Sequence, residues 1–167
     1  MMLNVFITNL GKYNEGYLIG EWIALPADKE DVQALFDRIG INKEYEEYFI
    51  TDYETDLPMS IGEYDNVFRL NEMAEELSEL TDYEVKKYKA ILEAGFWREH
   101  KDIIDHLDDY NLSEDITNCT EYAEMLIDDN PNIPEDIKGY INYEAYGNDM
   151  SNCVDGAFTE YGWIERI

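Results

Sequence analysis

Carboxylates are the chemistry this chain holds in abundance: thirty-nine Asp and Glu stand against twelve Lys and Arg, a formal charge of −27 over 167 residues. Acids in such number offer cation binding, carboxylate catalysis or a charged surface. The stretch from Asp109 opens like a calcium loop, with Asn111 and Ser113 at its third and fifth positions. It then departs from one, because Glu114 stands where the sharp turn needs Gly and Thr120 stands where a bidentate Glu closes the ligand shell. His100 and His106, six residues apart, fall about 120° from a common helical face. With no HExxH or Cys/His cluster, neither a metal nor a cofactor is expected. The glycines form no GxGxxG or P-loop, and no GxSxG or Cys–His signature occurs. Glycoside chemistry needs two carboxylates about 5–9 Å apart, a condition that thirty-nine acids meet without selecting any pair. No residue is singled out as catalytic.

The charged surface remains, and composition says it coats a folded body. Hydrophobic residues make up 45% of the chain and aromatics 14%, enough buriable area to offset the ordering of the chain. Solubility of a small domain needs a net charge of only about 2–8, and further like charge costs stability by self-repulsion, so the excess calls for a function. The charge is uneven. Residues 1–60 hold twelve acids and four bases, residues 61–104 eleven and six, and residues 105–167 sixteen and two. No Lys or Arg stands between Lys101 and Lys138. That run is interleaved with Ile103, Ile104, Leu107, Ile116, Tyr122, Met125, Leu126 and Ile127, the pattern of a folded surface rather than of an acidic tail.

Without a basic patch, direct nucleic-acid binding is not expected, since neutralised phosphates supply most of that affinity. The reverse role fits. At one charge per about 1.7 Å of duplex, 27 charges equal about 46 Å of DNA, whereas a compact globule of this length has a radius of gyration of about 15 Å. A DNA-like array therefore requires an elongated body. Glu72, Glu75, Glu76 and Glu79, at helical spacing, place carboxylates about 4.5–6 Å apart along an axis. Two other classes remain open: an acidic adaptor that binds a basic protein without mimicking DNA, and a carboxylate-based hydrolase. A salt-adapted surface would also be acidic; seventeen Ile and fourteen Tyr weaken that reading and leave it open.

The elements that must position these acids read as α+β in three small segments with boundaries near Ile61 and Ile104. Residues 1–61 predict a small antiparallel sheet with one helix: strands over Leu3–Thr8, Gly16–Leu25 and Tyr48–Tyr53, with a turn over Gly11–Gly16. A helix from Asp28 carries Val32, Leu35, Phe36 and Ile39 at i, i+3, i+4 and i+7 and ends at Gly40. Residues 62–104 predict a helical middle, with one helix from Asn71 and another capped by Thr81-Asp82-Tyr83-Glu84 and stopped at Gly95. A third helix is expected over Trp97–Leu107. Residues 105–167 form the strongly acidic mixed segment, where Asn118-Cys119-Thr120-Glu121 caps a helix, Pro134 suits a first turn and Phe158–Ile164 returns as a strand. Trp22 and Trp97 are expected in the core. Cys119 and Cys153 are expected to be reduced, the start lacks a secretory layout, and no apolar run reaches the roughly 20 residues of a membrane span, so a cytoplasmic protein is expected.

Several motifs together carry a resemblance. Lys12-Tyr13-Asn14-Glu15-Gly16 with Gly20-Glu21-Trp22, then Phe49-Ile50-Thr51-Asp52-Tyr53-Glu54, Leu92-Glu93-Ala94-Gly95 and Asn142-Tyr143-Glu144-Ala145-Tyr146, resemble the ArdA antirestriction proteins of mobile genetic elements. The family's C-terminal tract usually resembles Asp-Tyr-Glu-Ala-Phe-Ala-Arg-Asp-Leu, and this chain departs from it at Asn142 and over Gly147-Asn148-Asp149-Met150. The resemblance implies an elongated, three-segment homodimer that mimics B-form DNA. It would occupy the DNA-binding groove of the methyltransferase core of type I restriction–modification enzymes and protect incoming DNA. Acids of all segments would then stand in for phosphates: Glu72, Glu75, Glu76 and Glu79, and in the cation-free run Asp105, Asp108, Asp109, Glu114, Asp115, Glu121, Glu124, Asp128 and Asp129. Ile137, Tyr140, Ile141 and Tyr146 are candidates for the dimer seam in the last segment.

Overall fold

The computed structural model describes residues 2–128 and 130–167, which leaves Met1 and the candidate acid Asp129 outside the described residues. The chain forms two compact units, Met1–Thr81 and Asp82–Ile167.

The first unit is built on a sheet of order β2-β1-β3, all antiparallel. Strand β1 (Leu3–Asn9) runs into a short helix α1 (Leu10–Asn14), β2 (Gly20–Ala24) leads to α2 (Lys29–Arg38), and β3 (Tyr48–Thr55) to α3 (Val67–Ser78). Leu3, Val5 and Ile7 alternate inward and are fully buried, each contributing about 1.5–3 kcal/mol of transfer free energy. The β1–β3 register shifts between Phe6, opposite Asp52, and Ile7, opposite Ile50. The extra residue, Thr51, lets Ile50 and Tyr53, three apart, both lie on the face of Ile7 and Val5, while Phe49 falls on the other face, where it meets Tyr13 edge to face at 5.1 Å. On α2, Val32, Leu35 and Phe36 face the core, and Gly40 at φ +79° ends the helix as its spacing predicts.

Helix α3 starts four residues before Asn71, because Asn66 caps it by accepting from the backbone N–H groups of Phe68 and Arg69. Asn71 itself is buried in mid-helix and ties the segment before α2: its side chain accepts from Ala27 N (2.8 Å) and donates to Ala27 O (3.0 Å). Where a plain turn was expected after β1, Asn9 caps the five-residue α1 by accepting from Lys12 N.

The second unit packs α4 (Asp82–Ala94) on a sheet of order β4-β6-β5, also antiparallel. Its strands are β4 (Tyr110–Ser113), β5 (Gly156–Thr159) and β6 (Gly162–Arg166). Ahead of β4 come α5 (His100–Asp105), shorter than predicted, and a 3-10 turn at Leu107–Asp109. Between β4 and β5 lie α6 (Cys119–Asp128), α7 (Glu135–Lys138) and α8 (Tyr143–Ser151). Strand β4 and helix α8 are elements the sequence reading did not anticipate. Strand β4 is an edge, and Tyr83 on α4 satisfies it: the phenol donates to Leu112 O (2.9 Å) and accepts from Leu112 N (3.2 Å).

Ile116, Tyr122 and Trp163 form a buried cluster with Leu126, Met150 and Phe158 around it, the Tyr122 and Trp163 rings 4.5 Å apart. Burial there pushes the Tyr122 phenol above its ordinary value. Helix α8 approaches the start of α6 so closely at Gly147 that a Cβ would overlap the Cys119 carbonyl. Lys87 is buried with its ammonium donating to Tyr110 O (3.2 Å). Cys119 and Cys153 are both free thiols, and among the described residues no helix is long and apolar enough to cross a membrane.

Candidate functional site

The inward faces just described leave the carboxylates on the outside. No described Asp or Glu is buried; the buried polar residues are Thr8, Asn9, Asn71, Lys87 and Thr159. In the first unit, α3 buries Val67, Leu70, Met73, Ala74 and Leu77 and thereby turns Glu72, Glu75, Glu76 and Glu79 to solvent. Glu75 accepts from the Asn71 amide at 2.8 Å, which fixes its carboxylate on that face. Glu75 and Glu79 line an open concavity of about 640 Å³ together with Asp28 and Asp31 from the start of α2. The sequence reading missed those two partners. The signal was tertiary, since the Asn71–Ala27 bonds bring the two helices together.

In the second unit, Glu121, Glu124 and Asp128 share α6 at i, i+3 and i+7. Asn118 caps this helix by accepting from Thr120 N and Glu121 N, as its sequence predicts. Glu121 reaches back to accept from Thr117 N (2.7 Å) and Thr117 Oγ1 (2.8 Å), and these bonds hold its carboxyl below the usual range. Asp128 accepts from the Tyr143 phenol at 3.2 Å, an interaction that tethers α6 to α8. Asp109 lies 2.8 Å from His106 Nδ1, whose ring stacks flat on Trp97, centroids 4.6 Å apart. Glu114 is ion-paired with Lys86 of α4, a cation from outside the run. Asp105, Asp108 and Asp115, like Glu72 and Glu79, have no side-chain hydrogen bond or ion pair among the described residues.

Three other cations are paired in the same way: Lys12 with Glu15, Arg38 with Glu21, and Lys138 with Glu135. The Tyr45 phenol and Lys12 lower Glu15, and Arg38 lowers Glu21. Crowding of acids predicts raised carboxyl pKa values, yet Glu15, Glu21 and Glu121 are held down, because each accepts short hydrogen bonds. A general acid needs a carboxyl raised by burial. Glu15, Glu21 and Glu121 instead offer fixed negative charge. No three His, Cys, Asp or Glu among the described residues converge as a metal site.

The seam candidates lie on α7, after it and on α8. Ile137 and Tyr140 are exposed, Tyr140 at 90%, while Ile141 and Tyr146 are half-buried. Trp97 is half-buried, and Trp22, expected in the core, is 42% exposed.

Fold and surface together define an α+β protein that presents carboxylates in rows on its surface. Residues 5–165 match the ArdA antirestriction protein family, and the chain belongs to it. The family implies non-enzymatic action against type I restriction enzymes. Comparison with curated proteins gives no match.

Proposed function

We propose that the protein mimics B-form DNA, occupies the DNA-binding groove of a type I restriction–modification enzyme in the cytoplasm, and so protects incoming DNA. The observation that carries this reading is that a charge of −27 stands with no described carboxylate buried, in rows on α3 and α6 where Glu75, Glu121 and Asp128 are held by local bonds. A groove built for phosphates meets such rows with its Lys and Arg, and preorganised acids cost less to immobilise than free ones. An elongated homodimer in which Ile137, Tyr140, Ile141 and Tyr146 meet would double the array to about 92 Å of duplex equivalent. The test is capture of a type I enzyme on immobilised protein, followed by elution with unmodified duplex carrying its recognition site. The duplex elutes the enzyme if both ligands use one groove. Retention at saturating duplex would favour an acidic adaptor that binds elsewhere.

A further inference from the structure

Strand β1 sends Leu3, Val5 and Ile7 into the first unit's core, so alternation sends Asn4 and Phe6 to the opposite face of the sheet. Register extends that face across three strands: Phe6 lies opposite Trp22 on β2 and Asp52 on β3, and Asn4 lies opposite Ala24 and Glu54. Phe6 and Trp22 meet edge to face at 5.4 Å, and Trp22, Ala24, Asp52 and Glu54 are all exposed. Of the three tryptophans, Trp163 is 1% exposed and Trp22 42%. The three strands contain no Lys or Arg, and Asp52 and Glu54 have no ion pair among the described residues.

We propose that this sheet face, a Phe6–Trp22 aromatic centre flanked by Asp52 and Glu54, is a docking surface for two neighbouring arginines on the cationic face of a partner protein, one stacked on Trp22 and one paired with the carboxylates. A guanidinium stacks on an indole face and also forms a planar fork that binds carboxylates. Adjacent strands are about 4.8 Å apart, so the Asp52 backbone lies about 10 Å from that of Trp22, within the reach of two neighbouring basic side chains. Duplex DNA is excluded as occupant by its phosphates. A second copy is disfavoured because a two-fold contact would press Asp52 and Glu54 against their own equivalents. The proposal rests on the functional reading only in taking the partner to be a type I enzyme. It adds a contact of a different kind, since an aromatic anchor contributes affinity that does not depend on salt as an ion pair does.

The experiment compares full-length wild type with Trp22→Ala and Trp22→Phe for binding to a type I methyltransferase core across a range of sodium chloride, with circular dichroism and sedimentation as controls. Trp22→Ala is expected to weaken binding about 5–30-fold with the salt slope unchanged, and Trp22→Phe to restore most of it. Trp22→Ala binding within twofold of wild type overturns the proposal, as does an effect of Trp22→Ala confined to self-association. Competition by duplex is scored separately, so DNA mimicry can fail while the aromatic contact stands, or the reverse.

Discussion

Gly147→Ala isolates the packing that sets the acidic helix of the second unit. The added methyl would overlap the Cys119 carbonyl at the start of α6 and approach Ala123 Cβ at 3.2 Å. The obstacle is backbone, so no side chain can rotate away. The two helices must separate, and overpacking of this kind costs about 1–3 kcal/mol or more. For a cooperative unit of about this size, 1 kcal/mol corresponds to about 4–8 °C in Tm. The change also acts on the site, because α6 carries Glu121, Glu124 and Asp128 and is tied to α8 through the Asp128–Tyr143 bond. Gly139→Ala is the matched control: it has the same chemistry at φ −65°, and nothing lies within 4 Å of the added atom. Near-UV circular dichroism on heating reads the packed Tyr122–Trp163 cluster directly. Gly147→Ala should melt at least about 4 °C below wild type, and Gly139→Ala should match it or rise by about 0.4–1 kcal/mol equivalent. Equal melting of the two variants would refute the close α6–α8 approach.

Two further outcomes follow from the charge distribution. The isolated protein should melt higher as sodium chloride rises from 0.01 to 0.15 M, because the screening length falls from about 30 to about 8 Å and relieves repulsion that exposed ion pairs such as Arg38–Glu21 and Lys86–Glu114 barely offset; a flat or falling series would mean the acids are too dispersed to act as an array. Glu121 has a folded pKa depressed by its bonds to Thr117, so its contribution is present above its unfolded pKa and is lost as pH falls through the lower folded one. Glu121→Gln should therefore flatten the acid limb of the stability profile, and an unchanged acid limb would deny that the carboxylate caps α6.

Elements whose signals are local were legible in the sequence. Helix α2 carries its apolar stripe and its terminating Gly40, α6 carries its own capping residues, and β1 alternates inward at Leu3, Val5 and Ile7. Features that depend on distant partners were not. Strand β4 is four residues long and is held by β6 and the Tyr83 phenol, so its residues looked instead like an imperfect cation loop. Helix α8 contains Gly147, Asn148 and Asp149, poor helix formers in isolation, and exists because it packs on α6. Trp22 looked like core because most Trp are buried on average, but register places it on the open side of the sheet. Among the acids, exposure was foreseeable from composition. The pairing of Glu114 with Lys86, 28 residues away, and the grouping of Asp28 and Asp31 with Glu75 and Glu79 required the fold.

Distributed charge is the central claim, and a graded neutralisation series scored for protection of unmodified DNA against a type I enzyme tests it most directly. An exposed ion pair is worth about 0.2–1 kcal/mol, so neutralising Asp105, Asp108, Asp115, Glu124 or Asp128 singly should change protection by less than about sixfold. Neutralising all five by Asp→Asn and Glu→Gln should weaken it by orders of magnitude while the fold, read by circular dichroism, is retained. A single position whose neutralisation abolishes protection while the other four have no effect, alone or together, would contradict the account and point to one catalytic or anchoring carboxylate.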